Sequence, residues 1–239
     1  MRARLLPTRR LTLMGGLALT TGACASSPGR ATLRSPADLW TFDRLDEIGG
    51  HAVKAEGGPR LTDSPWGQAA SFDGVDDALF IENHPLAGAS RFTFEALFRP
   101  DGGAHEQRWF HLQETPPPDA GPDWPGTRFL FEIRVFGEQW CLDAFTKGPG
   151  YNHTLIFPDK LHPVGAWAHV AQTFDGATYR SYVNGRLEGE APLAFKPQGP
   201  GASSIGCRFN RVNYFNGAVR AAAFSRSALT PDQFVLPRP

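Results

Sequence analysis

Residues 91–99 read Arg-Phe-Thr-Phe-Glu-Ala-Leu-Phe-Arg, and residues 128–136 read Arg-Phe-Leu-Phe-Glu-Ile-Arg-Val-Phe. Period two governs both. In the first, Phe92, Phe94, Ala96 and Phe98 share one face, with Thr93, Glu95 and Arg99 on the other. In the second, Phe129, Phe131, Ile133 and Val135 point one way, and Arg128, Glu132 and Arg134 the other. Strands of this kind need a second layer over their apolar side. Between them, QRWFHLQ (107–113) places Phe110 and Leu112 inward and Trp109, His111 and Gln113 outward. WAHVAQTF (167–174) runs through Asp175-Gly176 into TYRSYVNG (178–185), a hairpin signal, and Asn184-Gly185 is a second tight turn, before Leu187. LWTFD (39–43), ALFIE (78–82), SIGCRFN (204–210) and GAVRAAAF (217–224) supply further strands. Only SALTPDQF (227–234) reads as helical, for a turn or two. About a dozen short strands without a helical period predict an all-β, two-sheet antiparallel sandwich.

Composition agrees. The 239 residues are 41% hydrophobic and 20% charged, as in a globular chain, and 18 are Phe. Gly 26 and Pro 21 together make about a fifth of the chain, as expected of many turns. Twenty-four basic residues balance 24 acidic ones, which excludes a strongly basic nucleic-acid binder.

The N-terminus stands apart from the fold. Arg2, Arg4, Arg9 and Arg10 precede an uncharged, mostly apolar stretch from Leu11 to Gly22, too short for a membrane-spanning helix and suited to a secretory signal. The sequence Thr20-Thr21-Gly22-Ala23-Cys24 resembles a bacterial lipobox, which implies cleavage after residue 23 and lipidation of Cys24. Thr8-Arg9-Arg10 resembles the start of a twin-arginine signal, so the export route stays open. The expected organisation is a signal peptide over 1–23, a lipidated Cys and tether over 24–36, and one domain over 37–239. Ala25 after the Cys implies an outer-membrane lipoprotein at the cell envelope; simple cleavage would leave a periplasmic protein. Removal of residues 1–23 takes four arginines and no acid, leaving a net charge of −4.

Two cysteines then remain. In QWCLDAF (139–145) the apolar Trp140, Leu142 and Ala144 turn Cys141 outward beside Asp143, whereas in SIGCRFN the buried series is Ile205, Cys207 and Phe209. Thiols on opposite sides of their strands argue against a disulfide. Five prolines between Glu114 and Thr127 predict a long loop, in which Trp124 is either a stacking platform or a plug on a sheet edge.

The series LWTFD, ASFDGVDDALFI, FTFEALFRP, Trp167-Ala168-His169-Val170-Ala171, Asp175-Gly176, Tyr182-Val183-Asn184-Gly185 and YFNGAVRAAAFSRSALTPDQF resembles a LamG-like jelly roll of the concanavalin A-like lectin/glucanase superfamily, from Asp38 to Phe234. These motifs are a core Trp and turns, so they imply a fold and leave the activity to a site.

The polar faces offer one. Trp109, His111, Gln113, Glu132, Arg134, Asp143, Arg208 and Asn210 are the candidate ligand residues, expected to line a groove on the concave sheet, with Arg211, Asn213 and Tyr214 beyond them. Arginine forks match carboxylates or paired hydroxyls, amides bond sugar hydroxyls, and aromatic faces stack on sugar rings. The contrasting expectation is a solvated face with Glu132–Arg208 or Asp143–Arg134 ion pairs.

Catalysis has a weaker pattern. Glycosidases of the superfamily carry Glu-x-Asp-x-x-Glu or Glu-x-Asp-x-Glu on one strand; Arg134 stands where the Asp would be, and Glu138 lies past Gly137. Glu132 and Asp143 on neighbouring strands are the remaining carboxylate pair. KGPGYNH (147–153) resembles the Lys-Ala-Gly-x-Tyr-Asn-Gln segment of jelly-roll alginate lyases, which implies Tyr151 as a proton-transfer residue, although Gly-Pro-Gly suggests a turn. No cofactor is expected. Asp73, Asp76, Asp77 and Asp175 are candidate ligands for a structural calcium, while Arg220 replaces an Asp that the family often carries. The sequence thus points to a carbohydrate-binding module whose partner is a glycan. The alternatives are a polysaccharide-cleaving hydrolase or lyase using Glu132, Asp143 or Tyr151, and a protein-interaction module.

Overall fold

The computed structural model describes residues 38–121, 124 and 126–239. The expected signal, Cys24 and the tether lie outside them. The first strands are β1 (Asp38–Thr41), β2 (Glu47–Ile48), β3 (His51–Glu56), β4 (Arg60–Ser64), β5 (Gly67–Asp73) and β6 (Ala78–Ile81). The long central ones are β7 (Phe92–Pro100), β8 (Glu106–Glu114), β9 (Arg128–Phe136) and β10 (Gln139–Gly148). There follow β11 (Tyr151–Ile156), β12 (His162–Pro163), β13 (Ala168–Phe174), β14 (Thr178–Val183), β15 (Arg186–Pro192), β16 (Gly201–Ile205) and β17 (Asn216–Ser225). One 3₁₀ turn, Pro231–Gln233, is all that forms of the expected C-terminal helix. No helix among the described residues is long and apolar enough to cross a membrane.

Two antiparallel sheets result. One runs β15-β14-β13-β7-β17-β5-β4 with β1 beside β17; the other runs β11-β10-β9-β8-β16-β6-β3-β2 with β12 beside β10. The alternating faces of β7 and β9 meet between them, where the Phe94 and Phe131 rings stack at 3.8 Å between centroids. Trp40, Phe98, Phe110, Phe129, Ile133, Trp140, Leu142 and Val170 are also buried in this core. Removing one such aromatic costs about 3–5 kcal/mol, from lost transfer free energy and the cavity left behind.

The hairpin signals form as read. Asp175 Oδ1 accepts the Ala177 and Thr178 amides at 2.9 and 2.8 Å. Asn184 and Gly185 take positive φ of 50° and 75°, the requirement of a tight hairpin turn.

Three local readings are corrected. Trp109, expected outward, is fully buried in the core beside Phe110. A β-bulge between Arg108 and Phe110 puts two successive aromatic side chains inside and turns Arg108 outward. The second correction concerns SIGCRFN, which leaves the sheet at Ile205 because Gly206, at φ 91°, reverses the chain. Cys207 and Phe209 therefore pack outside the sheet with Ala78 and Phe80, not in the inter-sheet core. Cys141 is fully buried, although alternation turned it to the solvent side. Both cysteines are free. They lie on the same side of the nine-stranded sheet, Cys141 in β10 and Cys207 just past the end of β16, with β9 and β8 between, so separation rather than opposed faces keeps them apart.

The outer face of the eight-stranded sheet is covered at its centre, over β7, β13 and β17. Thr93 Oγ1 accepts the Leu229 amide at 2.8 Å, and Glu95 accepts the Val235 and Leu236 amides at 3.0 and 3.1 Å. His169 Nε2 lies 3.0 Å from Glu95 Oε2, and Leu236 packs on Leu97, Ala221 and Ala223. The C-terminal segment thus seals this face.

Candidate functional site

Among the described residues, the outer face of the nine-stranded sheet keeps an open pocket over β8–β11, bounded by the chain that follows β16. Register decides which side chains meet there. Arg108, Glu132 and Asp143 stand in one cross-strand row, with Glu106 and Arg134 in the next. On the other side of that row His111, Leu130, Phe145 and Thr154 line up, then Gln113, Arg128 and Lys147. Arg108, Arg128, Leu130, Glu132, Arg134, Asp143, Phe145, Thr154 and Arg208 together line a pocket of about 210 Å³.

A chain of ion pairs organises one end. Arg134 holds Asp143 at 2.7 Å and Glu106 at 2.6 Å, while Arg108 holds Glu106 at 2.7 Å and also pairs with Glu132. Asp143 is fully buried and Glu132 nearly so. Burial first, and the neighbouring Asp143 second, push the Glu132 carboxyl up to about 7 despite the two arginines. Burial likewise raises Asp143, against the pull of Arg134. The expected Asp143–Arg134 pair forms; Glu132 pairs with Arg108 rather than Arg208.

The other end is built on the chain from Gly206 to Phe215. It returns across the sheet, anchored where the Gly206 amide donates to Trp109 O at 3.0 Å and the Arg108 amide to Asn213 O at 2.9 Å. Arg211 grips Glu56 with two 2.9 Å bonds and lies 4.7 Å over the Phe80 ring. Phe209 covers His111, whose Nδ1 accepts the Phe209 amide at 3.2 Å. His111 is therefore on the expected face but buried, and burial, then Arg208 and Arg128, hold its pKa well below the ordinary 6.5.

Of the sequence candidates, the structure brings Glu132, Arg134, Asp143 and Arg208 into one pocket. Gln113 lies next to it in a smaller cleft with Pro116 and Phe209. Trp109 is in the core, His111 is covered, and Asn210 is exposed on the returning loop outside the pocket lining. Tyr151 faces the inter-sheet core, its hydroxyl donating to Lys196 O at 3.2 Å and accepting from Gln198 at 3.1 Å, so it has no access to this pocket. As Gly-Pro-Gly suggested, a turn separates β10 from β11 there. Trp124 is half-buried in its loop, away from the pocket lining.

Reading by strict alternation missed Arg108 and Phe145. The signal for Arg108 was present: a strand with Arg on its apolar side and Trp-Phe in succession calls for a bulge. Arg128 was read as outward but was not counted among the ligand residues.

Of the calcium candidates, Asp73, Asp76 and Asp77 gather with ligand oxygens within 4.8 Å of one another. Asp175 is elsewhere, paired with Arg180 at 2.6 Å. Asp73 Oδ1 accepts the Val75 amide at 2.8 Å, and Asp77 accepts the Asp73 and Gly58 amides at 3.0 and 2.5 Å. Asp73 and Asp77 thus serve as turn acceptors, and all three carboxylates are hard oxygen ligands of the kind calcium takes. They border a rim pocket of about 470 Å³ with Asp101 and Asn216. Arg220 sits away from it, donating to Trp66 O at 2.8 Å.

Comparison with known proteins adds the lineage. A laminin-G-type family model, described as concanavalin A-like lectin/glucanases superfamily, matches residues 73–234. No curated protein matches the sequence. Among solved structures, domain 4 of AbnA, a GH43 extracellular arabinanase from Geobacillus stearothermophilus, in complex with arabinotriose, superposes with a TM-score of 0.59 at 17% identity, over 83% of this chain and 97% of that one. The binding domain of botulinum neurotoxin DC in complex with SialylT gives 0.55 at 12% identity, over 83% of this chain and 50% of that one. At such identities the likeness is one of fold.

Proposed function

Because the chain belongs to the concanavalin A-like lectin/glucanase superfamily, we propose that it is a carbohydrate-binding module whose ligand lies on the outer face of the nine-stranded sheet. The observation that carries this reading is the open pocket of arginine forks, carboxylates, the Thr154 hydroxyl and the Phe145 ring. Pyranose and furanose rings present both hydroxyl pairs and apolar C–H faces, and such a surface matches both. The arabinotriose-bound and SialylT-bound neighbours support the ligand class, since each is such a fold in complex with a saccharide.

Binding is favoured over cleavage. Glu132 and Asp143 stand opposite each other on adjacent strands, the arrangement a two-carboxylate hydrolysis would use. Both are committed to arginines, however, and Asp143 is wholly inaccessible. The Tyr151 of the lyase reading points away from the pocket. We further propose export and lipid anchoring through Cys24, which would place the module at the bacterial cell envelope, and a structural calcium at Asp73, Asp76 and Asp77.

The test is a panel of defined oligosaccharides titrated against the full chain and an Arg134→Gln variant, with product analysis on every hit. The expected result is an intact glycan bound by the wild type and weakened about tenfold or more in the variant, the loss of charge-assisted hydrogen bonding. Shortened or unsaturated products would make the protein an enzyme. Silence across the panel would favour a protein-interaction module.

A further inference from the structure

The pocket is electrostatically unequal from end to end. Glu106, Glu132 and Asp143 are all consumed by Arg108 and Arg134. Arg128 and Arg208 line the same pocket. Among the described residues neither guanidinium has an ion pair or a hydrogen bond, and Arg128 Nε is buried without an acceptor.

Neighbours offer no relief. Register sets Gln113 on one side of Arg128 and Lys147 on the other, so its row is neutral or cationic. The guanidinium lies 5.3 Å over the Phe145 ring, a contact that carries no counter-charge. The carboxylate with most influence on it, Glu132, belongs to Arg108. Two cationic forks sharing a small pocket repel each other unless an anion sits between them. The same field reaches nearby groups: burial and then Arg208 hold Arg128 below its ordinary value, and His111 is kept neutral beside them.

We infer that the ligand carries an anionic substituent, a carboxylate or a sulfate ester on the sugar, held between the Arg128 and Arg208 guanidiniums. The inference rests on the carbohydrate reading and narrows it to acidic glycans. The geometry divides the labour: Arg108 and Arg134, pre-set by their carboxylates, meet hydroxyls, Phe145 and Leu130 meet the ring face, and the free forks take the charge. A planar guanidinium accepts either anion bidentately, so both chemistries are admitted.

The experiment uses the full chain and calorimetric titration of matched oligosaccharides: neutral glucan, galactan and mannan trimers, each beside its uronate and its sulfate ester, and lactose beside sialyllactose. At least one acidic member should bind about tenfold or more tightly than its neutral partner, the margin of a charge-assisted pair. Arg128→Gln and Arg208→Gln should each erase most of that margin, lowering affinity for the acidic member about tenfold and much further than for its neutral partner. Arg208 lies on the returning loop rather than in a strand, so its variant keeps the test sound if the Arg128 variant folds poorly. Which arm responds distinguishes uronate, sialate and sulfate. Equal or stronger binding of the neutral members would overturn this inference and leave the carbohydrate reading intact. Binding of no member would overturn both.

Discussion

Both sheets bury acidic side chains on their outer faces, and the two sets are satisfied in different ways. On the eight-stranded sheet, Glu95 receives the Val235 and Leu236 amides and the His169 ring, and the chain's own last residues close over it. On the nine-stranded sheet, Glu132 and Asp143 are met by arginine side chains, and nothing among the described residues covers the pocket they share. Backbone donors fixed by the fold make a seal. Side-chain forks that can redistribute their bonds, with two left over, make a surface able to exchange partners with a ligand. A buried acid alone therefore does not mark a site in this protein; what marks it is acids satisfied by movable arginines beside arginines not satisfied at all.

The largest effect should come from breaking the seal. Glu95→Ala strands His169 and two backbone donors, and should cost about 3–5 kcal/mol in denaturant unfolding while leaving glycan affinity unchanged in whatever fraction folds. A comparable loss, about 3–5 kcal/mol, is expected for Trp109→Ala, because its ring is core rather than platform. Unaltered stability in either variant would dissolve the distinction between the two faces.

A pH effect sharpens the open side. Glu132 ionises near 4.5 when free and at about 7 in the fold, so the folded state holds an extra proton between those values. Its contribution to stability is full below about 4.5 and is lost as the pH climbs to about 7. His84 and His111, held neutral by burial, act in the opposite sense, removing stability as the pH falls below their ordinary 6.5. Comparing Glu132→Gln with the wild type cancels the histidines. Asp143, Arg108 and Arg134 face Glu132 in both proteins, and the melting-temperature difference should shift toward the variant by a few degrees between about pH 4.5 and 7, then stay level. A difference independent of pH would mean that Glu132 is ionised throughout. The smallest effect belongs to the rim: Arg180→Gln removes the half-exposed contacts to Asp175 and Glu190 and should cost under about 1 kcal/mol.

Alternation in Phe92–Phe98 and Phe129–Val135 was enough to read the two-layer fold, because a strand's two faces are chemically opposite there. It was also enough to set Glu132, Arg134 and Asp143 on a common face. It failed where the chain departs from period two. The bulge in β8 exchanged Trp109 for Arg108, and the turn at Gly206 converted an expected strand into the loop carrying Arg208 and Asn210. The sequence also marks Glu95 and Glu132 alike, as single acids in apolar strands. Only tertiary structure tells them apart, since the segment that covers Glu95 is about 140 residues away in sequence.

The most direct test of the central claim, that the open face is the carbohydrate site, is to follow the arginine side-chain Nε–H signals by NMR while titrating the full chain with the glycans that bind. The signals of Arg108, Arg128, Arg134 and Arg208 should move together and saturably, while those of Arg180 and Arg220 stay in place. Shifts confined to residues around the Asp73–Asp77 rim, or an unmoved set of pocket arginines in the presence of bound glycan, would contradict it.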